Sequence, residues 1–177
     1  MDIELTASEI ITAAQYAELF QQNKTKQMAN GIVGNNKRCR QSDFGVHYIG
    51  LLGEIAISRL LGIAMRTDVT IAGDGDYDMV CNGNTIQIKT TSFANANNTG
   101  RFIIFNHLQD FSTDYAILCS TKNAHTIHIS GYTSRRNFLE NIITKNFGYG
   151  IRYCLAESNL KPIAQFKQEL ELQTEII

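Results

Sequence analysis

Proline is almost missing from this chain. Pro162 stands alone among 177 residues, and no long Gly-, Ser- or Pro-rich stretch divides the sequence. Nothing marks a domain boundary, and this length suits one domain around one sizeable core. Repeats at solenoid or propeller periods are absent too. The N-terminus, MDIELTASEII, has no basic segment followed by an apolar run, so it does not read as a secretory signal. No stretch approaches the roughly 20 apolar residues that span a bilayer. Together these absences predict an intracellular, cytoplasmic protein. Cysteine is sparse: Cys39, Cys81, Cys119 and Cys154 lie far apart with no C-x-x-C pair, a spacing that argues against a zinc knuckle. In a reducing compartment they read as small buried or half-buried hydrophobes rather than disulfides. His47, His107, His125 and His128 show no metal-binding spacing either and read as structural.

Charge is balanced, at a formal net of -1, and gives no bulk attraction to nucleic acid. Its distribution says more. Lys24, Lys26, Lys37, Arg38 and Arg40 fall in a segment, 24–42, that contains no Asp or Glu. Such a segment can track phosphates, or it can be a solvated loop. Arg135 and Arg136, at a predicted helix start, read as plain surface more readily than as part of the same basic face.

The elements follow from local signals. Thr6-Ala-Ser-Glu9 is a capping box, with Leu5 and Ile10 placed as a hydrophobic staple; a helix is predicted over about 7–22. The Gly/Asn-rich stretch 29–42 predicts a loop. Ser42 or Asp43 caps a second helix over about 44–61, which Gly62 ends. The period then changes to two, and strands are predicted at 77–81, 85–91, 101–106, 114–120 and 125–130. A helix over about 135–144, a short strand near 151–155 and a last helix over about 161–172 complete an α+β or mixed α/β chain.

The segment DYDMVCNGNTIQIKTT, residues 76–91, carries the chemistry. Asn82-Gly83 is a favoured type I′ turn. A two-residue loop pairs Cys81 with Asn84, Val80 with Thr85 and Met79 with Ile86. Extending the count sets Asp78 across from Gln87, Tyr77 across from Ile88 and Asp76 across from Lys89. One face then holds Tyr77, Met79, Ile86 and Ile88 as core, and the other gathers Asp76, Asp78, Gln87 and Lys89. By hairpin geometry alone this second face reads first as an ordinary solvent face with an Asp–Lys cross-strand pair. Glu54 is a lone carboxylate in the apolar helix IGLLGEIAISRLLG. Gly50, Gly53 and Ser58 around it leave room for a close neighbour, while Arg59 suggests a plain polar stripe.

A helix Glu, a strand Asp and an acid-x-Lys triplet on the next strand form a pattern. Glu54, Asp78 and Gln87-Ile88-Lys89 give this chain a resemblance to the PD-(D/E)XK nuclease superfamily. GLLGEIAISRLLG and GDYDMVCNGNTIQIKTTS look like small standalone nuclease-like proteins of phages and bacteria. The likeness covers mainly residues 45–130. It implies an α/β (α+β) fold with a restriction-endonuclease-like αβββαβ core, a central mixed sheet flanked by helices, and an extra N-terminal helix. One nuclease-like domain would span 1–177, with the N-terminal helix and basic loop at 1–43, the catalytic core at 44–130 and C-terminal helices at 131–177. Two departures stand out: Tyr77 precedes Asp78 where proline is usual, and Gln87 replaces the acid of the triplet.

The resemblance also implies roles. Asp78 would be the principal ligand of Mg²⁺ (or Mn²⁺), the Gln87 amide oxygen a neutral ligand, and Glu54 a ligand through water or to a second ion. Lys89 would orient the attacking water and stabilise charge at the scissile phosphate. Asp76 is an auxiliary ligand or a partner of Lys89. Thr91 and Ser92 would hydrogen-bond a DNA phosphate, and Lys24, Lys26, Lys37, Arg38 and Arg40 would flank the entrance. The implied activity is Mg²⁺-dependent endonucleolytic cleavage of DNA, double-stranded for preference, by a homodimer where both strands are cut. The alternatives are a protein of this fold that binds nucleic acid without turnover, or one that binds a protein partner.

Overall fold

A computed structural model describes residues 1–29, 43–65, 77–92, 101–148 and 150–174. Helix α1 spans Ala7–Ala29 and α2 spans Asp43–Leu61. The capping box forms as its sequence predicts: Thr6 N–H donates to Glu9 Oε2 at 2.7 Å, and Glu9 N–H donates to Thr6 Oγ1 at 3.3 Å. Glu9 also meets Arg59 of α2 at 3.0 Å, so the cap of one helix pins the next. Burial works against its charged form, but the Thr6 hydrogen bonds and the Arg59 charge outweigh it and hold its carboxyl below the usual range. Helix α1 runs seven residues past its predicted end. Its last turns, KTKQMA, are good helix formers with no Gly or Pro among them. Gly62 ends α2 at φ 72°, the left-handed cap that a residue without Cβ adopts cheaply.

The described residues form eight strands: β1 Asp2–Glu4, β2 Met79–Cys81, β3 Asn84–Ser92, β4 Phe102–Phe105, β5 Tyr115–Thr121, β6 Thr126–Ser134, β7 Ile143–Asn146 and β8 Ile151–Ala156. Helices α3, Arg135–Asn141, and α4, Phe166–Thr174, complete the chain. The fold is mixed α+β, in the predicted class. Its strands form two sheets rather than one central sheet. The larger has the order β1-β6-β5-β3-β2, with β3 parallel to β5; the smaller is β4-β8-β7 and antiparallel.

Three layers result. On one face of the larger sheet, Ile86, Ile88, Tyr115, Ile117, Ile127 and Tyr132 pack against residues of α1, α2 and α4 such as Ala13, Leu51, Leu52, Phe166 and Leu170. On the other face, Ala116 and Leu118 meet Ile103, Phe105 and Leu155 of the smaller sheet, with Phe111 and Phe138. Strand β5 is buried on both sides, so it reads YAILCS without polar alternation.

Three expectations need correction. β1 and β7 are strands that three or four residues of weak alternation do not signal. β4 stands outside the larger sheet and pairs with β8, and the described part of the crossover from β3 to β5 holds only a 3₁₀ turn, Leu108–Asp110, as helix. By length and composition alone, Phe44–Leu61 of α2 is apolar enough to cross a bilayer, with mean hydropathy 1.3. Here Leu51, Leu52 and Ile55 serve as core.

Candidate active site

Asn82 at φ 49° and Gly83 at φ 78° make the two-residue turn that Asn-Gly predicts. The register follows: Met79 opposes Ile86, Val80 opposes Thr85 and Cys81 opposes Asn84. Asp114 locks the start of β3 onto β5. Its Oδ2 accepts from Thr85 N–H at 2.8 Å and from Thr85 Oγ1 at 2.7 Å, while its own N–H donates to Thr85 Oγ1 at 3.0 Å. Seven consecutive parallel pairs then run from Ile86–Tyr115 to Ser92–Thr121, including Gln87–Ala116 and Lys89–Leu118.

The ladder between β2 and β3 stops at Met79, one residue before Asp78. Asp78 N–H donates to Ile86 O at 2.9 Å, and its carboxylate Oδ2 accepts from Ile88 N–H at 2.5 Å. The predicted side-by-side pairing of Asp78 with Gln87 therefore becomes a wrap. The carboxylate reaches the backbone midway between Gln87 and Lys89, filling the place where a ladder acceptor would sit. Asp78 and the triplet are brought together, by a side-chain-to-backbone bond that alternation cannot foresee.

Gln87 and Lys89 share a face, as predicted, but that face is not open solvent. It turns toward the smaller sheet. The Lys89 ammonium stands 5.1 Å from the centroid of the Phe105 ring. Gln87 Oε1 is buried and has no hydrogen-bond partner among the described residues. An unsatisfied buried carbonyl costs about 1–3 kcal/mol, so this oxygen is a standing acceptor for a donor or a cation.

Helix α2 lies on the opposite face of β3. Its approach is set by Gly53: a Cβ there would fall 2.0 Å from Thr90 Oγ1. The next residue, Glu54, is half-buried and belongs to that helical layer. Thr91 and Ser92 are half-buried at the C-terminal end of β3, where Thr91 Oγ1 makes a long contact of 3.5 Å to Ser92 O. Lys24 and Lys26 sit in the last turns of α1, not in a loop. Lys37, Arg38, Arg40 and Asp76 lie outside the described residues, as does Cys39. Cys81, Cys119 and Cys154 are free thiols, and burial pushes the Cys119 thiol up to about 12. His47 stacks on Phe20 and His128 pairs with Asp2. Arg136 pairs with Glu140 on α3, and the Arg135 guanidinium donates to Phe111 O. Both arginines thus serve the local surface.

Among the described residues no group of three or more His, Cys, Asp or Glu side chains converges as a metal-binding set. The oxygen donors nearest the Gln87–Lys89 segment are the Asp78 carboxylate and the Gln87 amide, while Glu54 belongs to the layer on the opposite face of β3. Magnesium commonly takes one or two carboxylates and fills its octahedron with water and phosphate, so the chemistry of one carboxylate and one amide oxygen fits the ion. Sequence reading missed Phe105, the wall beside Lys89. Its only signal is the apolar alternation of RFIIF, which does not say what it packs against. Comparison of the chain with protein-family models, curated proteins and solved structures finds no match.

Proposed function

We propose that the chain is a metal-dependent deoxyribonuclease of the restriction-endonuclease-like kind, cutting phosphodiester bonds within DNA. The observation that carries this reading is the buried Gln87 Oε1, without a hydrogen-bond partner among the described residues, on one face with Lys89 and beside the backbone that Asp78 grips. An oxygen acceptor, an ammonium and a carboxylate around one short strand suit a cation and a phosphate better than they suit a packed interior. The succession of α2, the antiparallel β2–β3 hairpin and a parallel β5 supports the same family.

Asp78 and Gln87 would hold Mg²⁺ or Mn²⁺; Glu54, in the helical layer on the opposite face of β3, has no part in that ligand pair. When bound, the ion supplies Lewis-acid charge at the phosphoryl oxygen and an activated water. Lys89 stabilises negative charge on the phosphate as it develops. Thr91 and Ser92 donate hydrogen bonds to flanking phosphate oxygens, and Lys24 and Lys26 with the basic residues after them extend the contact along the DNA.

A second reading has its own support. Gln87 carries no charge, and one oxygen of Asp78 is already committed to Ile88 N–H. Both features weaken a metal site and favour a protein that binds DNA without cutting it. The test is cleavage of supercoiled, linear and single-stranded DNA with Mg²⁺ or Mn²⁺, for wild type, Asp78→Ala and Lys89→Ala. Cleavage lost with chelator and with each substitution supports the nuclease. Salt-sensitive binding without cleavage supports the second reading. A folded protein that neither binds nor cuts overturns both.

A further inference from the structure

The smaller sheet lies outside the helix–hairpin unit that carries Glu54, Asp78, Gln87 and Lys89, yet it reaches Lys89. Phe105 closes β4, and its ring is 3% exposed. Phe111 stacks on that ring at 4.8 Å and 7°, and Phe138 meets it edge-on at 5.3 Å and 85°. Phe111 and Phe138 are themselves in edge contact at 5.1 Å, which closes a triangle of rings. The Phe105 ring cannot turn without disturbing both neighbours. Its orientation is fixed, and the Lys89 ammonium lies 5.1 Å from its centroid. That distance is within the range where the negative face of an aromatic ring attracts a cation, and partial burial strengthens the attraction.

From this geometry we infer that Phe105 is a positioning residue for Lys89, holding its side chain on the face it shares with Gln87. The inference rests on the nuclease reading of this site and adds a function to the second sheet, which furnishes a rigid wall. A lysine tail has four rotatable bonds and many rotamers. A ring clamped by two other rings selects among them before DNA arrives, which lowers the ordering cost of each turnover.

Fluorination separates this role from simple packing, because fluorine drains the ring's negative face while changing its shape little. Phe105 is replaced by mono-, di- and trifluorophenylalanine, and Phe105→Leu serves as the end point. The readouts are kcat and KM for DNA cleavage and the NMR shift of the Lys89 ε-methylene. In wild type that methylene resonates upfield of an exposed lysine through the ring current, and in Phe105→Leu it returns to the exposed value. The catalytic constant falls stepwise with each fluorine at constant KM, and Phe105→Leu loses roughly two- to thirty-fold, the range of a cation–π contact. A flat response across the folded fluorinated series, or no upfield shift in wild type, overturns the proposal. The NMR arm needs no turnover. An upfield methylene in a protein that cuts no DNA would leave the placement standing and refute only the nuclease reading; if Phe105→Leu does not fold, the fluorinated series decides alone.

Discussion

Replacing Gly53 with alanine tests how tightly α2 is seated on β3. The new Cβ would fall 2.0 Å from Thr90 Oγ1, 3.1 Å from Thr90 Cβ and 3.2 Å from Thr90 Cγ2. One Thr90 rotamer would turn a hydrogen toward that point, but Thr90 Cβ at 3.1 Å stays closer than ordinary van der Waals contact. The helix must lift or the strand must shift, and β3 is held by parallel pairing to β5 and by Asp114. Overpacking costs about 1–3 kcal/mol, and a contact this short belongs in the upper part of that range, about 2–3 kcal/mol. Alanine returns about 1 kcal/mol through its higher helix propensity, so the net loss is about 1–2 kcal/mol. In urea, with a slope of about 2 kcal/mol/M, the midpoint falls by roughly 0.5–1 M. Thr90→Ala removes two of the three clashing atoms, so Gly53→Ala combined with Thr90→Ala recovers most of that loss relative to Thr90→Ala alone. Urea melts followed by circular dichroism measure all four proteins. A Gly53→Ala variant as stable as wild type, or a double variant no better than additive, would refute the reasoning.

Other outcomes follow from the same contacts. Asp78→Ala strips the acceptor from Ile88 N–H and is expected to cost about 1.5–3 kcal/mol in denaturant melts, the range for a hydrogen bond to a charged group; Asp78→Asn keeps much of that stability, and cleavage assays show both inactive. Gln87→Met removes the unpartnered oxygen at similar volume. Thermal melts place it level with wild type or up to about 1 kcal/mol above it, while metal-dependent cleavage is lost; a destabilised Gln87→Met would mean that the oxygen has a partner in solution. Lys122 and His128 hydrogen-bond Asp2 and hold its carboxyl near 2, against an ordinary 3.8. A lowered folded-state value means that this contribution is complete above about 3.8 and is lost as pH falls toward 2. Hydrogen exchange at Ile3 and Ile127, which Asp2 helps to pair, should accelerate across that window, and Asp2→Asn should flatten the dependence.

Much of the site was legible one residue at a time. Asn82-Gly83 can hardly do other than turn with positive φ at both positions, and that turn fixes the three pairs nearest to it. Alternation then puts Gln87 and Lys89 on one face whatever lies beyond. The capping box at Thr6 and the stop at Gly62 are equally local, since each depends on atoms within five residues. These inferences hold because the forces involved act over a few bonds.

The tertiary structure decided what those faces meet. Periodicity tells that Gln87 and Lys89 point the same way. It cannot tell that a second sheet closes over them, because β4 contacts that face through chain more than ten residues away. Nor can it tell that Asp78, one step past the end of the ladder, turns its carboxylate onto Ile88 N–H. The chain by itself determined which residues stand together on β3. Only packing determined that Gln87 Oε1 would be buried with no partner among the described residues and that Lys89 would face an aromatic wall, because burial is set by the distant elements that cover a strand.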